Sequence, residues 1–227
     1  MNDSKHFGLV GGLGVGATVL YYQAIATACA ERSIVPRLTM AHANAPTALA
    51  LVQAGRIADL AAYLAGFARE LAASGASFLA IPAITPHICL TDLQRQVTLP
   101  IVDILQVTAQ RLRERRLSRV ALFGTKFTID GNLFGALDAF DVVHPQNAEV
   151  DEIHRIYLEL ATRGQISADD EAKLRELAHT LCRRDRVEAI VLAGTDLNLV
   201  FNEGNAGFPA VDCAAAHIDA IVAQMSR

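Results

Sequence analysis

Short apolar runs and helix-period stretches take turns along the whole chain. Apolar-rich segments at Phe7–Val10, Leu38–Ala43, Phe78–Ile81, Val120–Phe123 and Ala189–Leu192 predict strands, those at Phe78–Ile81 and Ala189–Leu192 buried, with shorter ones near Ile101 and at Val142–His144. Between them the periodicity changes. One helix is expected after Gly16, one over roughly Ile57–Ala73, where apolar residues recur at three- and four-residue steps, and one from about Asp169 to Arg184. The last of these opens on Ser167-Ala168-Asp169-Asp170, an N-cap residue followed by acids in the first turn. Strands alternating with helices predict an α/β chain with parallel sheets joined by crossover helices.

A weak internal repeat refines this picture. Gly-Leu-Val-Gly-Gly at 8–12 matches Ala-Leu-Phe-Gly-Thr at 121–125, and each ends an apolar run in a tight turn. From Gly11 to Ala83 is 72 residues, and from Gly124 to Gly194 is 70. Two α/β halves are therefore expected, related by a pseudo-two-fold, with the ends of the strands at 83 and 194 facing each other across a cleft. The carboxyl ends of parallel strands are where such sheets bind ligands. The expected division is residues 1–112 and 113–204.

Composition narrows the class. The chain has 227 residues, 52% of them hydrophobic, enough for a substantial core and against disorder. Its net charge is −4, and the basic clusters Arg111–Arg116 and Arg183–Arg186 lie in helix-type sequence, so they read as solvated helix faces rather than a nucleic-acid surface. No apolar stretch is long enough for a membrane span, and Met1-Asn2-Asp3-Ser4-Lys5-His6 lacks the build of a signal peptide, so a cytoplasmic protein is expected. Cys29, Cys89, Cys182 and Cys213 show neither CxxC spacing nor a histidine at metal-ligand distance, so no metal site is expected.

Several turns carry chemistry. Gly11-Gly12-Leu13-Gly14-Val15-Gly16-Ala17-Thr18, followed by Tyr21-Tyr22, pairs a tight glycine turn with a helix N-terminus, which favours an anion. Its Gly12-x-Gly14-x-x-Ala17 also fits a dinucleotide fingerprint. The end of the second strand holds His42, Asn44 and Pro46 in place of the acid that would bind a ribose, so a nicotinamide enzyme is the weakest alternative. The other turns are Pro82-Ala83-Ile84-Thr85-Pro86-His87, Gly124-Thr125-Lys126-Phe127-Thr128 and Ala193-Gly194-Thr195-Asp196.

Taken together these segments resemble the aspartate/glutamate racemase family, over nearly the whole chain. The glycine turn is similar to that family's Gly-Gly-Met-Gly-Pro-x-Ala-Thr, with Val15 where the proline usually stands, and Gly124 to Thr128 to its Gly-Thr-x-x-Thr. The resemblance implies a two-half α/β/α fold with a cleft, a C-terminal helix from about Asp212, within 205–227, that packs back onto the first half, no organic cofactor, a homodimer, and a small carboxylate or amino acid as ligand. It also implies Pro-Cys-Asn-Thr at the first strand-end turn and Gly-Cys-Thr-Glu at the second, the two cysteines serving as acid and base. Ala83 and Gly194 stand at those places, and neither has a proton to exchange.

Two-thiol racemisation is thus disfavoured. Chemistry that needs one acid or base, such as decarboxylation, elimination or hydrolysis, is left open. The candidates for that group are Asp196, His87 and Cys213, with Lys126 as a further source of charge. Cys213 follows Asp212 and has His217 one helical turn on; as a nucleophile it needs a lowered pKa, and otherwise it is a buried filler. Gly12, Thr18, Thr85, Thr125, Lys126, Thr128 and Thr195 are the expected substrate contacts, although each threonine can equally cap a turn. Ala45-Pro46-Thr47 offers no cation for a side-chain carboxylate, and Arg163 is the substitute considered for it. The alternative to an enzyme is a catalytically silent carboxylate-binding or regulatory homologue.

Overall fold

The computed structural model of the chain describes residues 4–226. They form two compact units, one reaching to Asp103 and resuming at His217, the other Ile104–Ala216. In the first, β1 (Phe7–Gly11) lies between β2 (Leu38–His42) and β3 (Phe78–Ala80), all parallel. In the second, β4 (Arg119–Gly124) lies between β5 (Asp141–Val142) and β6 (Ala189–Ala193), and β7 (Ala210–Asp212) extends the sheet beyond β6. The parallel α/β architecture expected from the sequence is what the chain adopts. In both units the first strand is central and the chain returns beside it.

The strands that were plainest in the sequence are those buried on both faces. Every residue of β1, β3 and β6 is buried, which is why they read as unbroken apolar runs rather than alternating ones. Three details differ from expectation. The strand expected at Val142–His144 is Asp141–Val142, set by pairing of Arg119 with Asp141 and Val120 with Val142. The one near Ile101 is a single bridge to Leu79, and β7 was not anticipated at all. These last two are equivalent places. Pro100-Ile101-Val102-Asp103 and Pro209-Ala210-Val211-Asp212 each bring a proline carbonyl to the neighbouring strand, accepting from the N–H of Leu79 (2.9 Å) and of Ile190 (2.8 Å).

The helices follow from amphipathic spacing and local caps. In α1 (Val15–Glu31) Ala17, Thr18, Tyr21, Ile25 and Cys29 make one buried face. After the short α2 (Ala45–Gln53), Leu60, Leu64, Ala68 and Leu71 of α3 (Ile57–Ala73) do the same against the first sheet, and α4 (Leu90–Gln94) and α5 (Ile104–Glu114) follow. Between β4 and β6 run α7 (Asn147–Arg163) and α8 (Ala168–Arg184). Glu149 accepts the Gln146 backbone N–H at 2.8 Å to start α7, and Gly164, at φ 72°, ends it. Ser167 caps α8 by accepting the Asp170 N–H at 3.1 Å. The last helix, α9 (Cys213–Met225), contains the second boundary between the units. Among the described residues no helix is long and apolar enough to cross a membrane.

Candidate active site at the strand ends

In the first unit the carboxyl end of β1 is a turn that only glycine can make. Gly12 has φ +85°, and a Cβ there would lie 2.2 Å from the carbonyl oxygen of Ala43 and 2.8 Å from the His42 ring. Thr18 closes the turn, its Oγ1 accepting the Gly12 N–H at 3.0 Å and donating to the Gly14 carbonyl at 2.7 Å. Two of the expected ligand contacts, Gly12 and Thr18, are thus bonded to each other.

The end of β3 carries Ala83, Ile84 and a short 3-10 helix, Thr85–Cys89. Ala83 and Ile84 are buried and Thr85 half-buried. His87 is 2% exposed, and its Nδ1 lies 2.8 Å from the Ala83 carbonyl oxygen. An imidazole nitrogen facing a carbonyl must carry the proton, so Nε2 holds the lone pair. That nitrogen has no hydrogen-bond partner. It is one of two such buried side-chain atoms among the described residues, the other being Nδ1 of His6. Burial lowers the His87 pKa against the opposing pull of Asp103, which keeps the ring neutral at neutral pH.

Beside it stands a second buried histidine. His217 of α9 donates from Nε2 to the Val102 carbonyl at 2.9 Å, and its Nδ1 accepts from the Tyr21 hydroxyl at 3.0 Å. Burial, with a contribution from His87, drives its pKa down to about 3. Both of its nitrogens are committed.

In the second unit β4 ends at Gly124, where a Cβ would lie 2.3 Å from the Ala193 carbonyl oxygen. Thr125 then caps the short helix α6 (Lys126–Asp130), with its Oγ1 3.2 Å from the Thr128 N–H and 2.9 Å from the Thr128 hydroxyl. Lys126 points outward and pairs with Asp151 at 3.4 Å, both side chains largely exposed. Arg163 is likewise exposed and pairs with Glu159 at 3.1 Å.

The end of β6 differs from the end of β3 in one respect that sequence reading did not anticipate. Gly194 has extended backbone, φ −155° and ψ 118°, which any residue can adopt. Space alone excludes a side chain: a Cβ on Gly194 would lie 2.2 Å from Cε2, 2.7 Å from Cζ and 2.9 Å from Cδ2 of Tyr157. Tyr157 comes from α7 and is buried, and its hydroxyl donates to Oδ2 of Asp196 at 3.5 Å. No local signal announces this contact, since 37 residues separate the ring from the glycine it covers. Thr195 and Asp196 are both buried at the start of the 3-10 turn that follows.

Asp212 ends β7 and starts α9, its Oδ1 accepting the N–H groups of Ala214 (2.8 Å) and Ala215 (3.0 Å), with Asn198 bonded to Oδ2. Its neighbour Cys213 is fully buried. Burial pushes that thiol up to about 12, so at neutral pH it is an S–H rather than a thiolate. Cys89 is pushed up to about 12 by the same cause. Cys29, Cys89, Cys182 and Cys213 are all unpaired thiols. Among the described residues no three His, Cys, Asp or Glu side chains stand close enough to hold a metal ion.

Comparison with known proteins decides the family. A sequence profile of the Asp/Glu/Hydantoin racemase family matches residues 10–221. The chain belongs to that family. Among solved structures it is similar to a Yersinia pestis protein described as a candidate Asp/Glu racemase, with TM-score 0.83 and 22% identity over 98% of this chain and 100% of that one. It is also similar to an aspartate racemase homologue from Pyrococcus horikoshii OT3, with TM-score 0.80 and 26% identity over 98% and 100%. A more distant likeness is to a mutant arylmalonate decarboxylase in a liganded form, with TM-score 0.55 and 12% identity over 98% and 93%.

Proposed function

We propose that this family member is an enzyme acting at the carbon next to the carboxylate of a small amino acid or related acid, without the paired thiols of two-cysteine racemisation. The observation that carries the reading is His87. A buried imidazole with a free lone pair at the end of β3 is a ready proton acceptor, and its lowered pKa keeps it in the accepting form at neutral pH. Ala83 beside it has nothing to exchange, and burial holds the thiols of Cys89 and Cys213 protonated. With one base and a carboxylate site, the chemistry open to it is proton removal or decarboxylation, the latter being the activity in the name of one fold neighbour.

The test is proton–deuterium exchange and turnover of aspartate, glutamate, malonate and phenylmalonate in D2O, followed by NMR, beside ligand-induced shifts in melting temperature. Exchange or loss of carbon dioxide with at least one acid is expected. His87→Ala should reduce that rate about 100-fold or more while keeping the melting shift, the usual scale for a lost general base. Binding of an acid with no exchange or turnover would instead favour the catalytically silent carboxylate-binding homologue.

The same reading has the protein working in the cytoplasm as a homodimer, with no organic cofactor. Four free thiols suit a reducing compartment. For the dimer, support comes from Val15, Val19 and Tyr22, spaced along one side of α1 and 61%, 51% and 54% exposed. Tyr22→Glu is expected to halve the mass measured by light scattering in solution. An unchanged mass would remove this stripe from the interface.

A further inference from the structure

We propose that the phenol of Tyr157 takes the place, at the end of β6, of the second thiol that the family resemblance puts at position 194, and that it donates a proton to the reacting carbon. The inference rests on the carboxylate-enzyme reading above, and geometry supplies the rest. The part of the ring nearest the Gly194 Cβ position is its hydroxyl end, with Cε2 at 2.2 Å and Cζ at 2.7 Å. The hydroxyl oxygen is one bond beyond Cζ, so the ring brings a protic O–H to the neighbourhood of the residue-194 Cβ position. Since Gly194 is extended, its missing side chain serves this ring and no backbone need.

Two further features suit a donor. The helix that carries the ring is anchored, because Val150, Ile153, Ile156 and Leu160 of α7 are buried and Arg184 grips Glu149 in its first turn at 2.7 Å and 2.9 Å. The ring's hydroxyl reaches Asp196 at 3.5 Å, the far end of hydrogen-bond range, so the proton is loosely engaged and can turn to a stronger acceptor. Burial and the Asp196 carboxylate raise the Tyr157 pKa well above the ordinary phenol value. Such a group stays protonated at neutral pH and cannot serve as a base there. It can still protonate a carbanion, which is far more basic. The enolate left by proton removal or decarboxylation uses its electron pair to form the new C–H bond. The O–H bond of Tyr157 breaks with its pair staying on oxygen, and the phenolate regains a proton from water.

Tyr157→Phe keeps the ring over Gly194 and removes only the donor. With whichever of malonate, phenylmalonate, aspartate or glutamate the unsubstituted protein converts, the variant should form product about 100-fold or more slowly and keep the ligand-induced melting shift. A second reading needs no variant. Product formation should hold its rate from neutral pH through about pH 9, because a raised phenol has not begun to ionise there. Wild-type rates in Tyr157→Phe, or a fall centred below pH 9, would overturn the donor role and leave the enzyme reading standing. Binding without turnover would also overturn it, in favour of the silent homologue. No binding of any of the four acids would sink both proposals.

Discussion

Gly12→Ala should be among the most damaging single substitutions in the chain, lowering stability by roughly 3–5 kcal/mol. Two costs combine. The backbone at φ +85° is strained for any residue with a Cβ, and that Cβ would meet the Ala43 carbonyl at 2.2 Å, a backbone atom fixed by its own strand-end position. The Ala43 N–H already bonds to the Gly11 carbonyl at 2.8 Å, so the loop cannot retreat without opening the β1–β2 pairing. At about 2–4 °C per kcal/mol for a chain of this size, the melting temperature should fall by about 10 °C. Gly66→Ala is the control: it lies inside α3 with open space around it and should gain roughly 0.5–1 kcal/mol. Equal melting temperatures for the two variants would refute this account of the turn.

Acid should unfold the protein early, and His217 should be a main reason. Its pKa is about 3 when folded and near the ordinary 6.5 when unfolded, so below pH 6.5 the unfolded chain takes up a proton that the folded one refuses. Stability is therefore whole above pH 6.5 and is lost as the pH falls toward 3, at about 1.4 kcal/mol per unit and ~5 kcal/mol at most across that window. His87 acts in the same direction, because burial lowers it too. His217→Gln keeps a donor for the Val102 carbonyl and an acceptor for Tyr21 but cannot titrate. Its acid-unfolding midpoint should move about one pH unit lower, by circular dichroism. An unshifted midpoint would mean that other groups govern acid unfolding.

How much of this was legible in the sequence depends on how local each feature is. β1, β3 and β6 announced themselves because burial on both faces leaves no polar residue in them, and α8 because its cap and first-turn acids are written in consecutive residues. β7 was missed because three residues between Pro209 and a helix are too few to show a period. Only the matching Pro-x-Val-Asp at 100–103 and 209–212 could have revealed it. For the site, the turns at 83 and 194 came from family resemblance, which gave positions but no surroundings. Whether Thr18, Thr125 and Thr128 point their hydroxyls into their own turns is a matter of side-chain geometry that spacing leaves open. Tyr157 was out of reach altogether, since its partner is a glycine in another element.

The order of elements along the chain also has a consequence for synthesis. The first unit includes β1 to β3, yet Lys5 bonds to the Met225 carbonyl at 3.0 Å and Tyr21 to His217, contacts that close only when α9 arrives. A ribosome must therefore make the whole of 104–216 before the amino-terminal sheet receives its last helix. Until then the Tyr21 hydroxyl and the Val102 carbonyl lack the histidine that joins them in the finished fold.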